Sequence, residues 1–489
     1  MIPENISRRS FTSGVLSASV ASVLPLSMSS QSTLHAALVI DRTKKPEPGP
    51  APEASFPAYR EHVLKNGLRV FHILDDRKPT VTLRLMIKSG AADDGAKAGV
   101  AGITATLLNR GTKTRDAVTF AKETDGIGSR VEASAGSDAS TVGASALSSK
   151  ADAVLGLLAD AVLNPTFPAD QFEKVRKQVL SALQAEREQP RSLAGRLASK
   201  LVYGEHPYGA SSTPETVKAL GREDAVAFHQ THYVPGNATL AVIADRPLED
   251  ILPLVEKHLG AWTGVVPKKA ARPEIPALPS ATTVHLIDRP GSVQSYIDIV
   301  HRGPGRSTQD LPEINVVNAT LGGGFSGRLF QNLREKNGWT YGAYSAFDLM
   351  KDGGSFSESA ETRNDVTHLA VRELLAEAAR IRTELIPEDE LALQREYNVG
   401  NYLLSLERPE RTVMRVQDID LYGLDASFYR TYAKRMAAVT PALAKQTAER
   451  HVKPGAAYIV VVGEAKEIRA ELEKFGSLTV YDVDLNVKK

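Results

Sequence analysis

Residues 321–345 of the chain read LGGGFSGRLFQNLREKNGWTYGAYS. Three consecutive glycines open this stretch, and Arg334 and Tyr341 follow at a separation of seven positions. A guanidinium and a phenol can each donate a hydrogen bond to a peptide carbonyl and to the oxyanion formed when water attacks it. Neither group can activate water. The residue types are therefore compatible with a substrate-holding role.

The same glycines also spell Gly322-x-Gly324-x-x-Gly327, the pattern of a dinucleotide-binding turn. That turn must follow a strand and open a helix. Residues 310–321 instead carry Pro312 at a helix-start position and apolar residues among polar ones, so they predict a helix before the glycines. No Lys-Ser or Lys-Thr pair for a phosphate-binding loop follows either. Nucleotide binding is not expected.

A second informative stretch, residues 99–112, reads GVAGITATLLNRGT. Its spacing and its closing Gly-Thr have the frame of a zinc-binding helix, in which two imidazoles one turn apart hold the metal and an adjacent carboxylate takes a proton from bound water. Gly102, Ala105 and Thr106 stand at those three positions. Their side chains cannot perform either task.

Together the two stretches resemble the pitrilysin/insulinase family of zinc peptidases, whose helix carries an inverted His-x-x-Glu-His. By that resemblance Gly102 replaces the first His, Ala105 the Glu and Thr106 the second His. The family's third ligand, a Glu, is expected near residues 179–182, where no carboxylate stands, and Glu186 and Glu188 come several positions late. The resemblance therefore implies a subunit that holds no metal of its own.

The resemblance also implies the remaining site residues. Arg334 and Tyr341 match a pair that reaches a zinc site in the other half of the enzyme and would be catalytic. Substrate binding is implied for the glycine run and for an edge strand that could bind an extended peptide as an added strand: Gly322, Gly323, Gly324, Val131, Glu132, Ala133 and Ser134. Simpler interpretations stay open. Arg334 could cap a helix, Tyr341 could be half buried in a strand, and residues 127–143 could form an ordinary hairpin.

Composition narrows the possible partners of the chain. Its 489 residues include 59 Lys and Arg against 58 Asp and Glu, and no long basic block appears, so nucleic acid is not an expected partner. The absence of cysteine excludes disulfides, cysteine-bound zinc and thiol nucleophiles. With 42% hydrophobic residues, the chain has the composition of a globular protein of two or more domains.

The N-terminus predicts export. Residues 7–12, Ser-Arg-Arg-Ser-Phe-Thr, form a twin-arginine pattern before a mildly apolar run at residues 14–28 that is too short and serine-rich for a stable membrane anchor. An irregular tail with a chance Arg-Arg is the alternative. We expect a signal peptide at residues 1–37 and a periplasmic location.

The remaining chain divides into a Pro-rich spacer at residues 38–57, an N-terminal domain at 58–264, a linker with four prolines at 265–280 and a C-terminal domain at 281–489. Pro235-Gly236 and Pro454-Gly455 each precede a β-branched run, which indicates two copies of one unit. Alternating apolar residues at 81–87 predict a half-buried strand, and residues 151–163 and 168–188 predict helices. We expect an α+β fold of two homologous domains, each a mostly antiparallel sheet with helices layered on it, forming half of a clamshell.

These inferences give a leading hypothesis and an alternative. The first is a zinc-free subunit of a heterodimeric metallopeptidase, inactive alone, with zinc in a homologous His-x-x-Glu-His partner and with peptides or unfolded polypeptides as substrates. The alternative is an inactive homologue that serves as a scaffold or a peptide-binding module. The presence of Arg334 and Tyr341 in register favours the first.

Overall fold

A computed structural model describes residues 56–488, which belong to one compact unit. The predicted signal peptide at 1–37 lies outside the described residues, as does the predicted spacer except for residues 56 and 57. Within the part described, no helix is both long and apolar enough to cross a membrane.

The N-terminal half contains a six-stranded sheet in the order β1-β2-β6-β3-β5-β4. Only the β2–β6 pairing is parallel, and the other neighbours are antiparallel. The strands are β1 (Arg60–Val63), β2 (Arg69–Leu74), β3 (Thr80–Ile87), β4 (Val131–Ala135), β5 (Ser140–Leu147) and β6 (Ala238–Ala244).

The C-terminal half has an equivalent sheet in the order β12-β7-β11-β8-β10-β9, except that its outer strand β12 pairs in parallel with β7. Its strands are β7 (Thr283–Asp288), β8 (Gln294–Gly303), β9 (Thr340–Asp348), β10 (Gly354–Arg363), β11 (Tyr458–Gly463) and β12 (Leu478–Tyr481). β11 pairs in parallel with β7 and antiparallel with β8, just as β6 pairs with β2 and β3. The two strands that follow the Pro-Gly turns are therefore equivalent, and the predicted repeat is confirmed. β4 and β9 are the equivalent edge strands.

Helices cover the sheets in both halves. Their bounds are α1 (Val100–Leu107), α2 (Ala117–Gly126), α3 (Ala151–Leu163), α4 (Ala169–Arg187), α5 (Pro190–Tyr203), α6 (Pro214–Ala219), α7 (Arg222–His232), α8 (Leu248–Leu259), α9 (Leu311–Leu321), α10 (Arg328–Phe330), α11 (Thr367–Thr383), α12 (Glu388–Leu406), α13 (Pro409–Tyr422), α14 (Phe428–Ala437), α15 (Pro441–His451) and α16 (Ala465–Leu472). The helices predicted at 151–163, 168–188 and 310–321 correspond to α3, α4 and α9. The α+β fold class is confirmed.

The two halves exchange one helix each. α5 of the N-terminal half packs on β8 and β11, and α13 of the C-terminal half packs on β3 and β6. Gln417 of α13 is fully buried there and donates hydrogen bonds from Nε2 to the carbonyl oxygens of Arg84 (2.9 Å) and Thr239 (3.0 Å). Each sheet is therefore completed by the other half, and the boundaries proposed at residues 264 and 281 stay a prediction.

This exchange corrects the expectation for β3. The strand is not half buried, because Thr82, which was expected to meet solvent, is buried on the same face as the apolar Met86. α13 covers that face, and Arg84 donates a hydrogen bond to the Gln417 side chain. The alternation of residues along one strand carries no information about a covering helix that lies more than 300 positions later in the sequence.

Two further contacts connect the halves. Residues 262–279 form neither helix nor strand, and Arg272 in this segment bridges Asp93 (2.9 Å) and Asp352. The edge hairpins meet at their tips, where Asp138 of the β4–β5 turn accepts the N–H of Lys351 in the β9–β10 turn (2.9 Å). The two edge strands are thus held in one frame.

Candidate functional site

The helix at the zinc-motif position is α1, and a carboxylate caps its start. Gly99 adopts φ 101° at the N-cap, and Asp94 accepts the backbone N–H groups of Gly99 (2.7 Å) and Ala101 (2.9 Å). Burial raises the pKa of Asp94 to about 6, because desolvation outweighs these two hydrogen bonds. The acidic loop before α1 therefore caps the backbone N–H groups at the start of the helix.

The side chains at the three motif positions have no capacity for zinc. Ala105 is fully buried, and Thr106 donates its hydroxyl to the carbonyl oxygen of Gly102 (2.8 Å) one turn earlier. Residues 179–182, the expected position of a third ligand, lie on α4, which packs against α1 without a carboxylate there. Nowhere in residues 56–488 do three His, Asp or Glu side chains cluster as metal ligands would. The side chains present at this position do not fit zinc.

A pocket of about 490 Å³ separates α1 from the edge strand β4. It is lined by Ala105 and Thr106 on one side and by the predicted substrate residues Val131, Glu132, Ala133 and Ser134 on the other. Asn109 ties the two sides together by donating to the carbonyl oxygen of Val131 (2.8 Å). The structure thus brings the empty motif and the predicted peptide edge to one place, without Arg334 or Tyr341 in the lining.

Arg334 lies on a π-helix, Gln331–Lys336, that continues α10. Helices of this type are rare and are frequent at functional sites. Asn332 anchors the segment to α11 by donating to Glu373 (3.1 Å) and Glu377 (3.0 Å), and Asn337 donates back to the Asn332 side chain (2.8 Å). The backbone that carries the guanidinium is therefore held from two sides.

Aromatic rings position the guanidinium itself. Its carbon lies 4.8 Å from the centre of the buried Phe330 ring, a cation–π contact. Phe330 faces Tyr344 on β9 at 6.4 Å between ring centres, and the Tyr344 ring covers Gly342, where an added Cβ would lie 2.6 Å from it. Arg334 and the strand segment next to Tyr341 thus belong to one packed unit.

Tyr341 lies at a β-bulge near the start of β9. The pairing with β10 shifts register between Ala360 and Thr362, so Tyr341 and Gly342 together oppose one residue. Thr340 holds the bulge, because its hydroxyl accepts the N–H of Gly342 (3.0 Å) and donates to its carbonyl (2.8 Å). The Tyr341 side chain is 88% exposed, so the interpretation as a half-buried strand residue is wrong.

The glycine run, Gly322 to Gly324, packs against β9, the strand that carries Tyr341. Gly322 is buried, and an added Cβ would lie 2.6 Å from the backbone nitrogen of Ser345 on β9. The carbonyl of Gly322 accepts that same N–H (2.9 Å), and the Ser345 hydroxyl donates to Asn318 of α9 (2.9 Å). A Cβ at Gly323 would meet Ala319 at 2.9 Å, whereas one at Gly324 would meet nothing within 4 Å. Close packing explains the first two glycines.

Some residues of the site were not identified from the sequence. Phe330 and Tyr344 orient Arg334, and Asn332 holds its helix, yet aromatic and amide side chains at these spacings are also ordinary core residues. The available signal was their position inside the 321–345 stretch. Asp94 had a signal too, since it stands in an acidic loop five residues before the N-cap.

Two equivalent six-stranded sheets covered by helices, together with a helix that has the frame of a zinc motif but lacks its ligands, define a peptidase-like protein of two repeated domains. Residues 69–213 match the profile described as insulinase (peptidase family M16), and residues 219–397 match that described as peptidase M16 inactive domain. The chain belongs to this insulinase family, M16. The second match starts near the end of α6, earlier than the boundary expected from the sequence.

Relatives and solved structures agree with this assignment. An uncharacterized zinc protease of Mycobacterium tuberculosis is 29% identical over 399 residues, 79% of this chain and 89% of the relative. One of Mycobacterium leprae is 30% identical over 304 residues, 60% of this chain and 67% of the relative. The crystal structure of a peptidase M16 inactive domain from Pseudomonas fluorescens has a TM-score of 0.78 at 26% identity, covering 83% of this chain and 98% of that one.

Proposed function

We propose that the chain is a zinc-free subunit of a heterodimeric metallopeptidase and supplies Arg334 and Tyr341 to the active site of a homologous partner. The zinc and the water-activating carboxylate belong to that partner, which carries His-x-x-Glu-His. This chain contributes hydrogen-bond donors and half of a chamber for peptides or unfolded polypeptides. It is inactive alone, because none of its side chains at the motif can bind the metal or accept the proton of water.

The exposure of Tyr341 is the observation that carries the proposal. The phenol is 88% exposed at a bulge held by Thr340, and Arg334 is 44% exposed over Phe330. The chain itself makes little use of either polar group, since the nearest carboxylate to Arg334 is its neighbour Glu335 at 3.7 Å. Both donors are therefore available to a carbonyl or an oxyanion brought by another molecule.

Co-expression with a homologous chain that carries His-x-x-Glu-His tests this role. We expect the complex to cleave peptides, and Tyr341→Phe or Arg334→Gln to lower kcat by roughly 10² or more, the usual cost of losing an oxyanion donor. Tyr397→Phe on α12 and Arg469→Gln on α16, both exposed, are matched controls that should keep full activity. If kcat of the complex is unchanged by Tyr341→Phe and Arg334→Gln, the catalytic role is refuted and this chain would serve only as a scaffold.

Metal content and location have separate tests. We expect one zinc per heterodimer and none on this chain alone; stoichiometric zinc on the isolated chain, with peptide cleavage, would exclude the zinc-free assignment. We further propose that the complex works in the periplasm after twin-arginine export. The double change Arg8→Lys/Arg9→Lys should retain the chain in the cytoplasm, as cell fractionation would show, and unchanged export would contradict the route.

A further inference from the structure

The C-terminal half contains a pocket of about 720 Å³ that the proposed function does not use. It lies among α9, α12, α13, α14 and the end of β9, and neither Arg334 nor Tyr341 lines it. Three guanidiniums and three phenols do: Arg306, Arg411, Arg415, Tyr402, Tyr429 and Tyr432. The volume falls in the range of pockets that hold small organic ligands.

Two of these arginines keep a buried nitrogen without an acceptor. Arg306 reaches Asp418 (3.3 Å) and the Tyr429 hydroxyl through Nη2, but its Nη1 is buried and meets no acceptor in residues 56–488. Arg415 donates from Nη2 to the Ser405 hydroxyl (2.8 Å), and its Nη1 is likewise buried and unsatisfied. Buried donors of a charged group are normally paired, so two in one pocket indicate a missing acceptor.

Guanidiniums outnumber carboxylates in the lining of the pocket. Its carboxylates are Asp348 and Asp418, against three guanidiniums. Burial raises the pKa of both carboxyls, and Asp418 is the carboxylate paired with Arg306. The Tyr402 hydroxyl donates to the carbonyl oxygen of Tyr429 (2.7 Å), and the Tyr429 hydroxyl donates to Asp418 (3.1 Å). The Tyr432 hydroxyl accepts from Asn315 (2.6 Å), which leaves its proton for a ligand. The pocket therefore suits an anion.

Apolar groups share the lining with these donors. Phe347 and Met414 line the same space, and the Tyr402 ring lies 4.9 Å below the Arg415 guanidinium. A ligand with a flat or apolar body would find contact there while its charged end met the guanidiniums. We propose that this pocket binds a small organic anion, with its carboxylate or phosphate group on Arg306 and Arg415 and its body against Phe347, Tyr402 and Met414.

Calorimetric titration of the full chain tests the site with matched probes. Benzoate and benzamide share a ring and differ in charge, and phenyl phosphate replaces the carboxylate by a phosphate. We expect benzoate or phenyl phosphate to bind at least about tenfold more tightly than benzamide, since a charge-assisted hydrogen bond supplies that much. The tighter of the two anions identifies the preferred group. Equal affinity for benzoate, phenyl phosphate and benzamide, or no binding of any probe, would overturn the proposal.

Variants locate the binding. Arg415→Gln should weaken the favoured anion about tenfold, whereas Arg430→Gln, an exposed arginine of α14 outside the lining, should leave its affinity within about twofold. Should Arg415→Gln fail to fold, Asn401→Asp at the exposed rim places a carboxylate against the ligand and should weaken binding similarly by repulsion. If Arg415→Gln or Asn401→Asp folds and binds the anion as tightly as Arg430→Gln does, the anion does not bind in this pocket.

Discussion

Substitution of two neighbouring glycines by alanine should have opposite consequences. At Gly322 an added Cβ would lie 2.6 Å from the backbone nitrogen of Ser345 and 2.7 Å from Cδ1 of Leu329. Real Cβ atoms do not approach backbone this closely, and Leu329 is fully buried, so neither neighbour can move freely. At Gly324 an added Cβ would meet nothing within 4 Å.

The magnitudes follow from these distances. Relief of the overlap at Gly322 must separate α9 from β9, at a cost of about 1–3 kcal/mol for overpacking and about 1 kcal/mol for the hydrogen bond from Ser345 N–H to the Gly322 carbonyl. We therefore expect Gly322→Ala to lower the free energy of unfolding by about 2–4 kcal/mol. Gly324→Ala should change it by less than about 0.5 kcal/mol, or stabilise slightly by restricting the unfolded chain.

Urea denaturation of the full chain, followed by circular dichroism, measures both changes. The comparison is internal, because the two variants alter the unfolded chain in the same way and differ only in their native surroundings. Equal midpoints for Gly322→Ala and Gly324→Ala would refute the reasoning. In the complex with a zinc-bearing partner, Gly322→Ala should also lower peptidase activity, since the loop leads directly into the helix of Arg334.

Three further changes probe other parts of the structure. Gly102→Ala should stabilise the chain by about 0.5–1 kcal/mol in thermal unfolding, because the position is an exposed helix interior with free space around the new Cβ, and a loss would contradict that placement. Tyr208→Phe should lower the free energy of unfolding by about 1–3 kcal/mol in urea denaturation, because Asp138 in the β4–β5 turn then loses a buried hydrogen-bond donor. An unchanged free energy would show that the hairpin tips do not depend on this hydrogen bond. Burial lowers the pKa of His301 to about 4, and its Nε2 accepts the N–H of Lys453 (2.9 Å). As the pH falls from 7 to about 4, His301 binds a proton more strongly in the unfolded chain than in the folded state. The free energy of unfolding of the wild type therefore falls by roughly 3 kcal/mol, a loss that His301→Gln does not share. The gap in unfolding free energy between the two should therefore narrow with falling pH, and a constant gap would exclude a neutral buried imidazole.

The success of the sequence as a guide depended on how local each feature is. α3 and α4 were predicted from periodicity and prolines within a single stretch, and the β4–β5 hairpin was implied by the family resemblance of one short stretch. The exchange of α5 and α13 between the halves has no local signal, because it places Gln417 against Arg84 from the other end of the chain. For the same reason the pocket of Arg306 and Arg415 was not anticipated.

The candidate site shows the same limit in another form. Arg334 and Tyr341 were predicted from the resemblance of the 321–345 stretch to a family motif. The π-helix, the bulge at Tyr341 and the ring of Phe330 that orient them instead arise from packing between α11, β9 and β10. A sequence pattern specifies which groups are present. Their exposure and mutual support follow only from the assembled sheet.

The structure also changes which residues carry the functional argument. The glycine run was expected to bind substrate, yet close packing against Ser345 and Ala319 already accounts for Gly322 and Gly323. Those glycines would be required in any protein with this turn, whatever its activity. Tyr341 is different, because the residue is 88% exposed and the fold gains little from a phenol there. The same holds for the exposed part of Arg334. The proposal of a substrate-holding role therefore rests on these two side chains alone. The proposal that a second chain brings the metal rests on α1, where Thr106 donates a hydrogen bond back to Gly102 and no metal ligand is present.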